Sequence, residues 1–281
     1  MTALRGGSIP LLVFGAWLCG APAPGQAAPE AEAARQQSPA AVRITDLAEL
    51  VAGFVRDYPD KSDVSHPLYQ SAAASVHVHA LGFEQTVPLH IHRTTEEATV
   101  ILTGAPRVTL AFARNGKRAT LEQTARPGTL IYSPPFTGHE WFNPDPKGMQ
   151  ANLVFASPSF DGNFYLKSTD RRLLKGGEPL VYDPDRSLRT FLATGRPFSI
   201  ERLPMRRDKL ASVLVSSEAT IPAHPVSPTL LYVIQGSGVL QTDTEYPIRP
   251  KMLIEIPPGA GIVIRAKPGT PLAIIAFRPE T

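Results

Sequence analysis

Near the start of the chain, apolar residues recur once at helical spacing. Leu47, Leu50, Val51, Phe54 and Tyr58 fall on one face, Asp46 stands at the N-cap position with Glu49 three residues on, and Pro59 marks the stop. The stripe predicts an amphipathic helix packed on a neighbouring sheet. From about Ser75 the pattern changes to short runs of period two. Val76-His77-Val78-His79 alternates. Val87 to His92, Ala98 to Leu102, Arg107 to Phe112, Thr129 to Ser133, His139 to Phe142 and Gln150 to Ala156 follow, with turn residues between them. Asn115-Gly116 between two such runs predicts a hairpin. Many short strands without helical interruption predict a sandwich or barrel. A polar, charged run from Asp161 to Asp185 breaks the series. A short helix is predicted at Ser187 to Ala193, and strands resume at Phe198 to Arg202 and Ala211 to Ser216.

The later strands repeat the earlier ones. Glu97-Ala-Thr-Val-Ile-Leu-Thr-Gly104 and Thr229-Leu-Leu-Tyr-Val-Ile-Gln-Gly236 have equal length, and each ends an apolar strand on glycine. The interval from Gly104 to Pro134 is close to that from Gly236 to Pro257 once a shorter second hairpin is allowed for. Internal duplication, and hence two similar β domains, is the simplest account.

Composition adds little to the fold and more to the setting. With 29 prolines and 21 glycines in 281 residues, turns and short strands are favoured over long helices. A net charge of +3, with no long Lys/Arg run, gives no electrostatic footprint for nucleic acid. Arg5, the apolar stretch Ile9 to Gly20 and the small residues around Gly25-Gln26-Ala27 predict a secretory signal removed near Ala27. Cys19, the one cysteine, lies in that segment, so the mature chain forms no disulfide. The expected location is periplasmic or secreted, with no stable membrane insertion after cleavage. The expected boundaries are a signal at 1–27, a linker and helix at 28–60, a first β domain at 61–165, a connection at 166–185 and a second β domain at 186–281.

The candidate chemistry sits in the first domain. His90 and His92, two residues apart, share one face of a strand. Glu96 and Glu97 follow four and five residues after His92, and His139 arrives later in Gly128-Thr-Leu-Ile-Tyr-Ser-Pro134-Pro-Phe-Thr-Gly-His139-Glu-Trp-Phe-Asn143. Three imidazoles and one carboxylate form a borderline ligand set that suits a divalent transition metal. Strand parity puts Thr99 on the face of Glu97, and Trp141 and Asn143 on that of His139. Tyr132 shares the parity of Pro134. These four are the candidate pocket residues. His77 and His79 share a face one strand earlier, and parity does not say whether that face points in or out.

Gly82, His90, His92, Glu97 and Gly104, followed by Gly128, Pro134, His139 and Asn143, resemble the two motifs of the cupin superfamily. The duplication makes the chain similar to a two-domain member, a bicupin. The gap after Gly82 is two residues longer than usual, and Phe136 stands where a glycine is usual. The resemblance implies an all-β fold of two jelly-roll barrels in tandem, with one N-terminal amphipathic helix. It also implies one metal held by His90, His92, Glu97 and His139. Both glutamates satisfy the forward count from His92, and counting back from Gly104 selects Glu97. The second copy has Pro222, His224, Thr229 and Ile262 at the four ligand positions, so a metal-free barrel is expected there. That barrel is expected to pack on the first or to take part in a homodimer.

Iron or manganese is the first expectation for the metal, with nickel, copper, cobalt and zinc also compatible. The functional expectation is an oxidoreductase of dioxygenase type acting on a small organic substrate. The alternatives are a Lewis-acid lyase, isomerase or decarboxylase, or a non-enzymatic protein that binds a metal or a small ligand.

Overall fold

The computed structural model describes residues 41–58, 62–146, 148–205 and 209–279. The expected signal segment with Cys19, and most of the expected linker, lie outside the described residues. No helix among the described residues is long and apolar enough to cross a membrane.

The N-terminal strand β1 (Arg43–Asp46) leads into helix α1 (Leu47–Asp57). The Asp46 side chain accepts from the amides of Ala48 (2.9 Å) and Glu49 (3.3 Å), satisfying two of the amides a helix start leaves unpaired. Leu47, Val51 and Phe54 form the buried stripe. The surface this stripe covers is distant in sequence. β1 pairs antiparallel with β19 (Met252–Ile256), Leu47 N donates to Lys251 O, and Asp46 is ion-paired with Arg249.

The first barrel has two facing sheets. One is made of β2 (Asp63–Gln70), β3 (Ser75–Leu81), β5 (Glu96–Thr103), β8 (Leu130–Ser133), β10 (Gln150–Ser157) and β12 (Leu180–Tyr182), in the order β12-β8-β5-β10-β3-β2. The other is made of β4 (Thr86–Ile91), β6 (Arg107–Arg114), β7 (Lys117–Thr124), β9 (Gly138–Phe142) and β11 (Phe164–Tyr165), in the order β11-β4-β9-β6-β7. Asn115 and Gly116 turn β6 into β7, both at positive φ (53° and 71°), as a two-residue hairpin turn requires. The connection to the second half is not a free linker. Leu173 in the 3-10 turn Arg171–Lys175 is fully buried, and β12 pairs with β8.

The second barrel follows helix α2 (Pro184–Leu192). Its larger sheet runs β1-β19-β16-β21-β14-β13, with β13 (Phe198–Arg202), β14 (Leu210–Val215), β16 (Thr229–Gln235) and β21 (Leu272–Phe277). Its smaller sheet runs β15-β20-β17-β18, with β15 (Glu218–Ile221), β17 (Gly238–Gln241), β18 (Glu245–Ile248) and β20 (Ile262–Ala266).

The duplication is visible in the backbone. Gly104 and Gly236 end equivalent strands at φ 78° and 83°, and the pairings β5–β10 and β16–β21 both carry a register shift. A Cβ at Gly236 would lie 2.1 Å from the Pro271 carbonyl oxygen, so the approach there requires glycine.

The two six-stranded sheets bury their outer faces in one shared core. Val76, Val100, Leu153 and Phe155 come from the first barrel, and Tyr232, Leu253, Ile275 and Phe277 from the second. The Phe155 and Phe277 ring centroids are 5.2 Å apart. Leu47, Val51 and Phe54 of α1 belong to the same cluster. The interior of the second barrel is filled by aliphatic side chains, among them Val213, Leu231, Ile254, Ile262 and Ile274. The interior of the first is apolar in its lower part, around Leu81, Ile101, Leu110, Phe112 and Trp141. Above them it opens into a cavity.

Candidate metal centre

β4 and β9 are neighbours in the five-stranded sheet, and their pairing puts His90 directly opposite His139. His92 follows the end of β4 and turns to the same side. The three imidazoles are buried, with ring centroids 4.1 to 5.2 Å apart. One ring nitrogen of each lies within 4.8 Å of those of the other two. The backbone decides which nitrogen that is. Nδ1 of His90 is 2.8 Å from Pro88 O, Nδ1 of His92 is 2.9 Å from Gly162 O, and Nδ1 of His139 is 3.2 Å from Thr137 O. A carbonyl only accepts, so each Nδ1 carries a proton; Nε2 of His90 and of His139 keeps its lone pair, while Nε2 of His92 faces the Glu97 carboxylate and would give up its proton to a bound cation. Nε2 of His139 is buried without a hydrogen-bond partner. A buried lone pair without a donor fits a cation better than it fits water-free packing.

Glu97 begins β5 on the facing sheet. Its carboxylate is 3.1 Å from Nε2 of His92 and 3.7 Å from Nε2 of His139, and it accepts from Thr99 Oγ1 at 2.7 Å. Glu96 has the opposite parity. It faces the shared core, where Tyr132 Oη donates to it at 3.2 Å. The geometry therefore joins Glu97, and not Glu96, to the histidines.

The charges are mutually adjusted. Burial pushes His90 down to about 2, with His139 adding to the effect. Burial likewise lowers His139. Burial also opposes the proton on His92, but hydrogen bonding and charge from Glu97, with Gly162 O and Asp161, outweigh it and raise this histidine above its ordinary value. For Glu97, burial favours the neutral acid, yet the facing imidazoles His139, His92 and His90 hold its carboxyl well below the usual range. A carboxylate beside three imidazoles, two of them lowered by burial, is a donor set that a divalent ion can complete by displacing the proton that His92 shares with Glu97.

The surrounding loops fix the donors. Phe136 takes a left-handed φ of 63°, the conformation that favours glycine, and its amide donates to His92 O at 2.8 Å. The departure from the motif therefore leaves the turn in place, and the side chain packs with Leu89 and Leu173. Asp161 accepts from the amides of Arg93 and Thr94 and from Thr94 Oγ1, which holds the loop carrying Gly162 against His92. Asp161 and Gly162 fall in a polar run that the sequence pattern marks only as connecting chain.

A cavity of about 500 Å³ opens over the donors. Thr99 and Trp141 line it, as strand parity implies. Tyr132 does not. Ile131 and Ser133 take the inward parity of β8, and Tyr132 points into the shared core. Asn143 does not line the cavity either. It lies one residue beyond β9, where Nδ2 donates to the carbonyls of Leu81 and Gly148 and Oδ1 accepts from Asp145 N. Its role is to clamp two loops. His77 and His79 face inward and line the cavity with Asn152 and Asp63. His66 lies in β2 with its ring 5.9 Å from that of Phe54.

At the second barrel's equivalent place, His224 Nδ1 accepts from Ser227 N, and Ile262 is packed among aliphatic side chains. Among the described residues no second metal-type cluster occurs.

Residues 66–167 match the family model described as Cupin. The match covers the first barrel, which is cupin-like. Solved structures of the same fold cover both barrels of the chain. Salicylate 1,2-dioxygenase from Pseudaminobacter salicylatoxidans superposes with a TM-score of 0.59 at 13% identity, over 86% of this chain and 85% of that one. A variant of that enzyme in complex with gentisate gives 0.62 at 12% identity, over 89% and 86%. A cupin 2 conserved barrel domain protein from Leptotrichia buccalis gives 0.58 at 9% identity, over 87% and 99%. No curated protein matches the chain by sequence. At these identities the likeness shows the fold, and the function of this chain has to be argued from its own site.

Proposed function

We propose that this chain is an exported, metal-dependent oxidoreductase of dioxygenase type, acting on a small organic substrate at one site in its first barrel. The observation that carries the reading is the convergence of three buried imidazoles. All three have Nδ1 committed to a backbone carbonyl, and one ring nitrogen of each lies within 4.8 Å of the others, beside the Glu97 carboxylate and under a cavity of about 500 Å³. His90, His92, His139 and Glu97 would hold a divalent transition metal, with iron or manganese favoured. A metal with that ligand set keeps open positions at which oxygen and an organic substrate can meet.

The remaining roles belong to the protein. The Thr99 hydroxyl fixes one oxygen of Glu97. The carbonyls of Pro88, Gly162 and Thr137 orient the three rings. Val87, Trp141 and Val154 give the cavity an apolar wall that displaces water and suits a small carbon skeleton. Two similar folds belong to a dioxygenase, one of them in complex with gentisate, which agrees with this reading. Export rests on the apolar segment Ile9 to Gly20 with Arg5 before it.

Oxygen uptake tests the proposal. The mature chain is loaded in turn with iron(II), manganese(II) and zinc(II) and offered phenolic, hydroxybenzoate and diketone substrates. The expected result is uptake with iron or manganese, none with zinc, and loss in His92→Ala. Turnover with zinc and no oxygen would instead establish Lewis-acid chemistry. A bound metal without turnover under any condition would establish a binding protein.

A further inference from the structure

On the wall of the cavity formed by β2, β3 and β10, His77, His79, Asp63 and Asn152 turn polar atoms toward the space above the metal centre. The ligand set does not use them. His79 Nε2 is 2.7 Å from Asp63 Oδ1. A carboxylate accepts, so Nε2 carries the proton and Nδ1 keeps its lone pair, with no protein partner among the described residues. This is the arrangement of an imidazole base oriented by a carboxylate. The His79 side chain is 16% exposed and lies on the open side of the cavity. His77, one period deeper, is kept neutral by burial and packs edge-on to Phe160, whose ring in turn covers His92 at 4.8 Å. Glu97 and Thr99 lie on β5 of the same sheet, beyond β10, and across the cavity stand Val87, His90, His139 and Trp141. Among the described residues no arginine or lysine lines the cavity, whereas two carboxylates, Asp63 and Glu97, do. With Glu97 committed to the metal, a substrate carboxylate reaching the His79 wall would meet the charge of Asp63 and, among the described residues, no guanidinium or ammonium to pair with.

We propose that His79, positioned by Asp63, is the proton acceptor of this cavity, and that the site selects a substrate carrying a weakly acidic hydroxyl, a phenol or an enol, without a carboxylate. The inference rests on the metal reading above and narrows its substrate. In the step, the substrate O–H bond breaks and its proton passes to Nδ1 of His79. The electron pair stays on the oxygen as phenolate or enolate. The imidazolium is balanced by Asp63, and its proton leaves to water through the open side of the cavity or returns to product oxygen. An imidazole nitrogen with a free lone pair, held by a carboxylate on the other nitrogen, is a group that can take such a proton.

The test uses the mature chain loaded with redox-silent zinc and the chromophoric phenol 4-nitrocatechol, whose absorbance reports ionisation of its hydroxyl. The titratable groups lining the cavity around His79 are Asp63 on β2, His77 on its own strand, Glu97 on β5 of the same sheet, and His90 and His139 on the facing sheet, while β10 presents Asn152. The wild type is expected to bind the ligand ionised at neutral pH. His79→Asn and Asp63→Asn should each raise the pH at which bound ligand ionises by about one unit or more, a tenfold change. Zinc content and thermal unfolding should stay unchanged, and Asp63→Glu should restore much of the shift. Salicylate should compete at least about tenfold less well than an unsubstituted catechol. Unchanged ionisation in His79→Asn overturns the proposal, as does salicylate competing as well as catechol. Less than one zinc per chain overturns it together with the metal reading. Failure of oxygen uptake with iron, when nitrocatechol ionises as described, overturns only the oxygenase reading.

Discussion

Truncating Phe155 to alanine probes the shared core that joins the two barrels. Phe155 is fully buried on the outward face of β10, with its ring 5.2 Å from that of Phe277 on β21. The substitution opens a void at a place walled by strands of both barrels, so little can collapse to fill it. Buried Phe→Ala changes cost about 3–5 kcal/mol. At about 2–4 °C per kcal/mol for a chain of this size, the melting temperature should fall by about 6–20 °C. The assay is differential scanning calorimetry of wild type, Phe155→Ala, Phe277→Ala and the double variant. Because Val76, Val100, Leu153, Tyr232, Ile275 and α1 belong to the same cluster, one cooperative transition is expected in all four. The two rings should couple by about 0.5–1.5 kcal/mol. Phe155 points away from the cavity, so metal affinity should not change. Two separated transitions, a fall of less than about 3 °C, or strict additivity of the two substitutions would refute the shared core.

Thr99→Val removes the donor to Glu97 while keeping the shape. It should weaken metal affinity by about 10–100-fold, read by competition with a chelating dye. Gly236→Ala, which places a Cβ 2.1 Å from Pro271 O at φ 83°, should cost several kcal/mol in denaturant unfolding. An effect below about 1 kcal/mol would contradict the close approach. The metal-stripped protein should lose stability as pH falls below 6.5, the ordinary histidine value. His90, held near 2, stays neutral in the fold while its unfolded counterpart takes a proton, and His139 acts in the same direction. His90 alone gives a slope of about 1.4 kcal/mol per pH unit, to which His139 and His77 add. His92, raised in the fold, acts oppositely only at and above 6.5; its contribution is complete below the unfolded value. The contribution of Glu97, whose folded pKa is depressed, is complete above its unfolded value of 4.5 and is lost only as pH falls further. Urea unfolding between pH 7 and pH 5 checks this, and a flat or rising stability would contradict it.

Much of this was legible from local pattern. The hairpin at Asn115-Gly116, the helix behind Asp46 and the paired glycines Gly104 and Gly236 rest on backbone preferences that a few residues carry. Parity within a strand was equally legible, placing Thr99 with Glu97, and the count back from Gly104 in the motif separated Glu97 from Glu96. What parity leaves open is which face points into the barrel. In β3 the apolar face, Val76 and Val78, covers the second barrel, and the histidines His77 and His79 face the cavity. An outer sheet face buried under a second domain reverses the usual reading of apolar as inward. The same burial takes Tyr132 out of the cavity. Asn143 was misplaced for a different reason, because the strand ends at Phe142 and parity ends with it. The pairing of β1 with β19, and the support of His92 by Gly162, are contacts between segments far apart in sequence, and no local signal marks them.

The central claim is one metal per chain, held in the first barrel. Elemental analysis of the protein produced in its native compartment tests it directly, with His139→Ala and His224→Ala prepared alongside. The account predicts one transition metal per chain in the wild type and in His224→Ala, and none in His139→Ala. A wild type without metal, or a metal that leaves when His224 is replaced and stays when His139 is replaced, would contradict it.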